Sequence, residues 1–238
     1  MSWSNLKTLV YPNDLPPGLD EANLPGIYTE GFLEGNIFDY DKYRLLQSKL
    51  EHCCRKISMM CLASERAKAA ASEFYMTTIK DAPALYGHHA IEVAYHLEAF
   101  IFFARSSLDV ASVIFGEILF KKRYDSFNEL TKAIVKAQNE IPELDYLRAL
   151  RENEFSWFSV LCGTTRGRAL RDKIAHQTGF PIDYQELRLD SEKENAVVRF
   201  TKDMTMPLHE FLESVCLGVT GNFISFENAI RKGQYGDL

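Results

Sequence analysis

The sequence has few of the features that define secreted, metal-binding or membrane-spanning proteins. Its five cysteines are an odd number and include no C-x-x-C pair, which is typical of neither a disulfide framework nor a zinc ribbon. The longest charge-free apolar run in the helical regions, residues 214–226, is shorter than a membrane span. Residues 1–14 also lack the apolar core of a signal peptide. We therefore expect a cytoplasmic protein with reduced thiols and no membrane crossing.

Metal-binding patterns are missing as well. Neither H-E-x-x-H nor the E-x-x-H pattern of di-iron bundles occurs in the chain. His88, Glu92 and His96 are spaced four residues apart, next to His89, but no second cluster of ligands complements them. We therefore predict no metal site and no cofactor.

The overall charge is negative, but one segment of the chain has a clear excess of basic residues. A net charge of −6 argues against a protein that coats nucleic acid by charge alone. The segment Gly163–Gly179 nevertheless carries four basic residues against one acid, a local balance of 4 − 1 = +3. These residues are Arg166, Arg168, Arg171 and Lys173, with the acid Asp172. This basic segment is the strongest candidate for a binding cleft.

The first 37 residues differ in composition from the rest of the chain. They contain four prolines and four glycines, which interrupt any helical or strand pattern. Trp3, Tyr11, Tyr28 and Phe32 make the segment more aromatic than a disordered tail. We predict an irregular N-terminal arm at residues 1–37, packed on a helical bundle formed by residues 38–238.

Two long helices are predicted next. From about Asp39, apolar and small residues recur at spacings of three and four, which indicates one buried seam of a long helix. The seam consists of Tyr43, Leu46, Leu50, Cys53, Ile57, Met60, Ser64, Ala67, Ala71, Phe74 and Thr78. We expect Cys53, Cys54 and Cys61, which lie in this region, to be small buried side chains without a redox role. A second helix, from Pro83 to about Phe120, is apolar almost all round, so we expect it at the centre of the fold.

Shorter helices follow. Ser126 is suited to cap a helix that extends to Asn139, because Glu129 stands three residues after it. Pro142 is expected to open another helix, which Gly163 ends. The basic segment then forms a short helix of its own.

The end of the chain changes period and then returns to helix. Apolar residues alternate around a polar loop at about residues 185–201, which predicts a β-hairpin. A last helix is expected from about Met206 to Arg231, and Gly218 and Gly221 could kink it. The predicted fold is thus mainly all-α: an up-and-down bundle of long antiparallel helices with an irregular arm and one inserted hairpin.

Three of the charged residues in the apolar central helix stand out by their spacing. Glu98, Arg105 and Asp109 follow one another by seven and four residues and share one stripe. Buried charges are costly unless they are paired. One interpretation is an internal ion pair between Arg105 and Asp109, and the other is that Glu98 or Asp109 orients the centre of the basic segment.

That centre reads Arg171-Asp172-Lys173-Ile174-Ala175-His176. Together with the long helices and the charges in the central helix, this R-x-x-x-x-H pattern resembles the HEPN superfamily over roughly residues 40–180. The resemblance implies the active site of a metal-independent endoribonuclease, at Arg171, Asp172 and His176. It also implies a homodimer in which two such motifs line one cleft. Many members of that family are toxins or defence effectors paired with an antitoxin or a nucleotidyltransferase.

The chemistry of these side chains fits cleavage of a phosphodiester by the neighbouring 2′-hydroxyl. Histidine exchanges protons near neutral pH, and arginine offers a planar fork of donors to phosphate oxygens. Asp172 stands four residues before His176 and can orient its ring. Arg171 and His176 are about 140° apart around one helix, so a single helix presents them poorly to one phosphate. A dimer interface would repair this by letting each subunit contribute one of the two. Arg166, Arg168 and Lys173 would add phosphate contacts.

Two functions remain open from the sequence. The first is a metal-independent RNA endonuclease. The second is a non-catalytic HEPN-like module that binds a nucleotide, an RNA or a protein partner through the same basic segment. A histidine paired with Asp172 near a helix C-terminus also stabilises a helix without any catalysis.

Overall fold

The computed structural model describes residues 40–80, 86–137, 141–153, 155–163, 169, 182–184, 196–201 and 204–235. In chain order the helices are α1 (Tyr40–Lys80), α2 (Tyr86–Phe120), α3 (Phe127–Lys136), a 3-10 helix (Pro142–Leu144), α4 (Tyr146–Glu152), α5 (Trp157–Cys162) and α6 (Leu208–Tyr235). The strands are β1 (Ile182–Tyr184), β2 (Ala196–Thr201) and β3 (Met204–Pro207). Of the described residues 85% are helical, which confirms the prediction of a mainly α helical bundle. The predicted arm, residues 1–37, lies outside the described residues.

Helices α1 and α2 are long antiparallel partners. The Cys53 thiol donates to the Ser107 carbonyl at 3.5 Å, and the Lys56 ammonium lies 5.1 Å from the centre of the Phe103 ring. Residue numbers therefore rise along α1 as they fall along α2. The seam predicted for α1 is confirmed wherever its side chains are described, because all of its members there are buried. These are Leu46, Leu50, Cys53, Ile57, Met60, Ser64, Ala67 and Ala71.

Helix α2 is the centre of the bundle, as predicted. Its Phe115 ring stacks on Phe226 of α6 at 4.3 Å, and Phe127 of α3 lies 6.0 Å from the same Phe226 ring. By length and composition Ile91–Phe120 could span a membrane. However, 67% of the apolar stretch by which it qualifies is buried inside the protein, as in a core helix. One stripe of α2 nevertheless faces outward, because Ile91 and Phe102 are 70% and 51% exposed.

Ser126 caps α3 as predicted. Its hydroxyl oxygen accepts from the Glu129 amide at 3.3 Å, which satisfies one of the free N–H groups of the first turn. The helix ends at Lys136, short of the predicted Asn139, and residues 138–140 lie outside the described part of the chain.

The single helix predicted from Pro142 to Gly163 is wrong. A 3-10 turn comes first, and the chain then breaks between α4 and α5. Ser156 explains the break, because its side chain donates to the Leu150 carbonyl at 2.7 Å and also accepts from the Ser159 amide at 3.1 Å. Ser159 donates in turn to the Asn153 carbonyl at 2.6 Å. The hydroxyls of the two serines thus bind backbone carbonyl and amide groups that a continuous helix would pair with each other, which ends α4 and starts α5.

The strands form an antiparallel sheet in the order β1-β2-β3. The second strand of the predicted hairpin is confirmed by β2, which pairs with β1. The first strand was expected from about residue 185. Residues 185–195 lie outside the described range. The third strand was not predicted, because Met204–Pro207 is too short to show an alternating pattern and continues directly into α6.

Helix α6 is assigned without interruption from Leu208 to Tyr235, so it starts two residues after the predicted Met206. Gly218 has a packing role in it. A Cβ at this position would lie 2.3 Å from Cδ1 of Trp157, whereas a Cβ at Gly221 would meet no atom within 4 Å. The absence of a side chain at Gly218 lets the indole of α5 approach the backbone of α6.

Candidate functional site

The residues predicted to carry the chemistry, Arg171, Asp172 and His176, lie outside the described residues. The predicted phosphate-binding residues Arg166, Arg168 and Lys173 do so as well. Within the basic segment, Gly163 and the buried Ala169 are described. The basic segment therefore starts at the end of α5.

The ion pair predicted between Arg105 and Asp109 is confirmed. The guanidinium approaches the carboxylate through two nitrogens, Nε to Oδ2 and Nη2 to Oδ1, each at 2.9 Å. The Arg105 side chain is only 9% exposed, so water screens the pair weakly. Among the described contacts of Arg105, the half-buried Glu98 is not a partner.

Asp109 has a second structural task. Its Oδ1 accepts from the backbone amide of Phe127 at 2.8 Å, in the first turn of α3. A carboxylate near the first turn of a helix compensates the positive end of the helix dipole. Because one carboxylate oxygen serves α3 and both serve Arg105, Asp109 is committed to holding α2 and α3 together.

One nitrogen of the Arg105 guanidinium takes no part in the ion pair. Nη1 of Arg105 is buried and has no hydrogen-bond partner in the structure as described. The Cys162 thiol, at the last residue of α5, lies beside the same guanidinium. A buried donor without a partner costs about 1 to 3 kcal/mol. Nη1 of Arg105 is therefore suited to donate a hydrogen bond to an oxygen of a group other than the residues named above.

Arg151 connects α4 to α3 and α5. Its Nη1 donates to Oδ1 of Asn128 and to Oγ1 of Thr131, both at 2.8 Å, and the side chain lies over the Phe158 ring at 5.5 Å. Burial lowers the pKa of Arg151. This arginine therefore braces α3 and α4 against α5 while adding positive potential near the start of the basic segment.

Cys162 itself is not suited to be a nucleophile. Burial raises the pKa of its thiol to about 12, although Arg105 and Arg151 act in the opposite direction. The thiol is therefore protonated at neutral pH, and the thiolate is the reactive form. Burial also acts to lower the pKa of Arg105, but Cys162 and Asp109 outweigh it and the net pKa is raised. The guanidinium is therefore charged at any working pH.

Arg151 and Cys162 were missed by sequence reasoning. Arg151 matches no motif, and its role depends on helices that are distant in sequence. Cys162 carries a weak signal, because it closes an apolar run directly before Gly163, the first residue of the basic segment.

No group of three or more His, Cys, Asp or Glu side chains suited to a metal ion is found among the described residues. His96 is half-buried and packs edge-on against Tyr95, with 5.2 Å between ring centres. The side chains of His88 and His89 are outside the described set.

The fold and these contacts define a class: a mainly α bundle whose central helix carries a buried ion pair close to the start of a basic segment. In comparisons with protein-family models, with curated proteins and with solved structures, none matches the chain.

Proposed function

We propose that this protein is a HEPN-like endoribonuclease that cleaves RNA without a metal ion. In this proposal His176 moves the proton, Arg171 binds the phosphate and Asp172 orients the His176 ring. Support comes from the long antiparallel helices α1 and α2, and from the ion pair in the apolar α2. The observation that carries the proposal is that the buried Nη1 of Arg105 has no hydrogen-bond partner. Its guanidinium lies beside Cys162, the residue directly before the basic segment.

In this proposal Asp109 and Arg105 have different tasks. Asp109 already accepts from Arg105 and from the Phe127 amide, so orientation of the imidazole falls to Asp172. Arg105 keeps a free donor directed away from Asp109, and it can bind a carbonyl or phosphate oxygen at the base of the basic segment. Arg105 is thus a positioning residue in this proposal.

The angular separation of Arg171 and His176 favours a homodimer. Residues five apart on one helix point about 140° from each other, so one helix presents the two side chains to different sides. Two copies related by a two-fold axis can place Arg171 of one beside His176 of the other, because such an interface repeats every contact.

The test is cleavage of single-stranded RNA by the purified protein in EDTA. We expect products with 2′,3′-cyclic phosphate ends, and a loss of about 100-fold or more in rate for His176→Ala, the range for removal of a general acid or base. His52→Ala is the matched control, because His52 is exposed on α1 and lies far from the basic segment in sequence. Cleavage by His176→Ala at the wild-type rate would remove His176 from the mechanism.

The net charge of −6 favours a second candidate, a non-catalytic HEPN-like module that binds RNA, a nucleotide or a protein partner such as an antitoxin or nucleotidyltransferase. A nuclease acting on bulk RNA gains from a more basic surface than this one. The second candidate predicts no cleavage, but salt-sensitive binding that weakens in Arg171→Ala. Binding that is indifferent to salt and to this substitution counts against it.

A further inference from the structure

One stripe of α2 is covered at one end of the helix and open at the other. Arg105 and Asp109 form the covered end, where Asp109 accepts from the Phe127 amide of α3 at 2.8 Å. Toward the start of α2 the stripe continues with four residues that lie within about 60° of one another around the helix axis. These are Ile91, Tyr95, Glu98 and Phe102. The open half of the stripe therefore adjoins the candidate site.

The open half exposes large apolar side chains to solvent. Ile91 is 70% exposed, Tyr95 67% and Phe102 51%. Met59 of α1 is 39% exposed and belongs to the same surface, because the ammonium of Lys56, three residues before it, lies 5.5 Å from the centre of the Phe102 ring. These five residues, with the glutamate of the stripe, form what we call the α1–α2 face.

The size of the α1–α2 face matches the apolar part of a dimer interface. Taking about 200 Å² for each large apolar side chain, its four apolar residues expose about 450 Å² in total. A typical dimer interface buries about 800 Å² on each partner, and about 65% of a homodimer interface is apolar. The face thus supplies most of the apolar surface that a stable dimer needs, and the polar side chains around it can complete the area.

The α2 stripe is complementary to a second copy of itself. Its four residues are spaced by four, three and four positions, a pattern that reads the same in both directions. A two-fold axis at the middle of the stripe therefore places Ile91 opposite Phe102 of the second copy. It also places Tyr95 opposite Glu98 of the second copy, so that the tyrosine hydroxyl can donate to the carboxylate. Each face carries one acid, Glu98, and one base, Lys56, so two faces do not repel each other.

We propose that the α1–α2 face is the interface of a homodimer, in which α2 of one copy packs antiparallel against α2 of a second copy. The exposed apolar area, the symmetric spacing and the balanced charges carry the proposal. It goes beyond the nuclease proposal, which needs a dimer but assigns no face to it, and it stands whether or not the protein cleaves RNA.

The test is sedimentation velocity of the purified protein over a range of concentrations. We expect a reversible dimer for the wild-type protein. Phe102→Asp should raise its dissociation constant by about 100-fold or more, because each dimer contains the substitution twice, opposite an apolar side chain. Leu217→Asp is the matched control, because Leu217 is 49% exposed on α6, and it should leave the dissociation constant unchanged. Circular dichroism checks that both variants are folded.

An engineered disulfide tests the antiparallel register. Tyr95→Cys mixed with Glu98→Cys in oxidised glutathione should form a disulfide between positions 95 and 98 of different subunits, because positions opposite each other at such an interface meet the distance of a disulfide. Tyr95→Cys mixed with Leu217→Cys is the control and should form no disulfide between positions 95 and 217. Peptide mapping identifies the linked positions.

Three results would overturn the proposal. A wild-type protein that remains monomeric does so and leaves the face to another occupant, such as the arm predicted at residues 1–37. A dimer that survives Phe102→Asp as well as it survives Leu217→Asp uses another face, and a dimer that gives no disulfide between positions 95 and 98 has another register.

RNA cleavage is measured separately, so that the two proposals can fail independently. A dimer that depends on Phe102 but cleaves no RNA removes the nuclease and leaves the interface. A dimer that cleaves RNA and survives Phe102→Asp removes the interface and leaves the nuclease.

Discussion

Removal of the Asp109 carboxylate should be among the most damaging single changes in this protein. In Asp109→Ala, the guanidinium of Arg105 loses both of its 2.9 Å contacts while its side chain is only 9% exposed. The Phe127 amide loses its 2.8 Å acceptor at the same time. The substitution thus leaves a buried positive charge and a backbone donor at the start of α3 without partners.

The magnitude follows from the burial. Breaking a buried ion pair from one side costs about 3 to 5 kcal/mol, because the remaining charge is uncompensated. The freed Phe127 amide adds about 1 kcal/mol, since α3 is short and the group can reach water when the turn frays. A domain of this kind has about 5 to 15 kcal/mol of total stability, so Asp109→Ala removes a large share of it.

The assay is urea denaturation followed by circular dichroism, with the free energy of unfolding taken by linear extrapolation. Asp125→Ala is the matched control, because Asp125 pairs with Arg123 at 2.7 Å but the two side chains are 72% and 60% exposed. An exposed pair contributes about 0 to 1 kcal/mol. If Asp109→Ala costs no more than Asp125→Ala, the buried pair does not hold α2 and α3 together and the reasoning is refuted.

The double variant Arg105→Met/Asp109→Leu sharpens the test. It removes both charges, and apolar replacements of buried ion pairs are often neutral or stabilising. We expect its stability to lie well above that of Asp109→Ala, with the remaining loss due to the Phe127 amide. A double variant as unstable as Asp109→Ala would mean that shape, and not the stranded charge, sets the cost.

Further stability predictions concern close packing and surface charge. Gly218→Ala should destabilise by about 1 to 3 kcal/mol, because its Cβ would lie 2.3 Å from the Trp157 indole, and the tryptophan fluorescence should shift. Gly221→Ala, the matched control on the same helix, has open space and should stabilise by up to about 1 kcal/mol; equal effects at both positions would contradict the packing argument. Glu143 pairs with Lys232 at 2.9 Å, and this hydrogen bond lowers the pKa of the carboxyl from 4.5. A lowered folded-state pKa gives stability above the unfolded value that is lost as the pH falls through the folded value. Glu143→Gln should therefore cost about 0.5 kcal/mol at neutral pH and nothing in acid below the folded pKa, and a cost that persists there would exclude this pair as its origin.

The long helices could be predicted because their signals repeat many times. The seam of α1 runs through successive turns, so isolated exceptions such as Ser64 do not obscure it. The break between α4 and α5 could not be predicted in the same way. It depends on the hydroxyls of Ser156 and Ser159, which capture backbone carbonyls instead of facing solvent. Serine is common in helices and gives no warning of which choice it makes.

The contacts of the candidate site also differ in how far the sequence predicts them. The ion pair of Arg105 and Asp109 was one of two interpretations open from the sequence, because opposite charges four residues apart on a helix can reach each other. The bond from Phe127 to Asp109 joins residues that are 18 apart and depends on the turn between α2 and α3. Arg105, Arg151 and Cys162 come together only through the packing of α5 against α2 and α4. Contacts of this kind depend on tertiary structure, and no local sequence pattern predicts them.

The proposed nuclease depends on one arrangement, in which Arg171 of one subunit and His176 of the other act on the same phosphate. Mixing Arg171→Ala with His176→Ala tests it directly, after subunit exchange and with RNA in EDTA. Each variant alone should be inactive, whereas the mixed dimer contains one intact site and one site that lacks both groups. With half of the dimers mixed, activity should recover to about a quarter of the wild-type value. If the mixture is as inactive as its components, while the wild-type protein cleaves RNA, the shared site is contradicted.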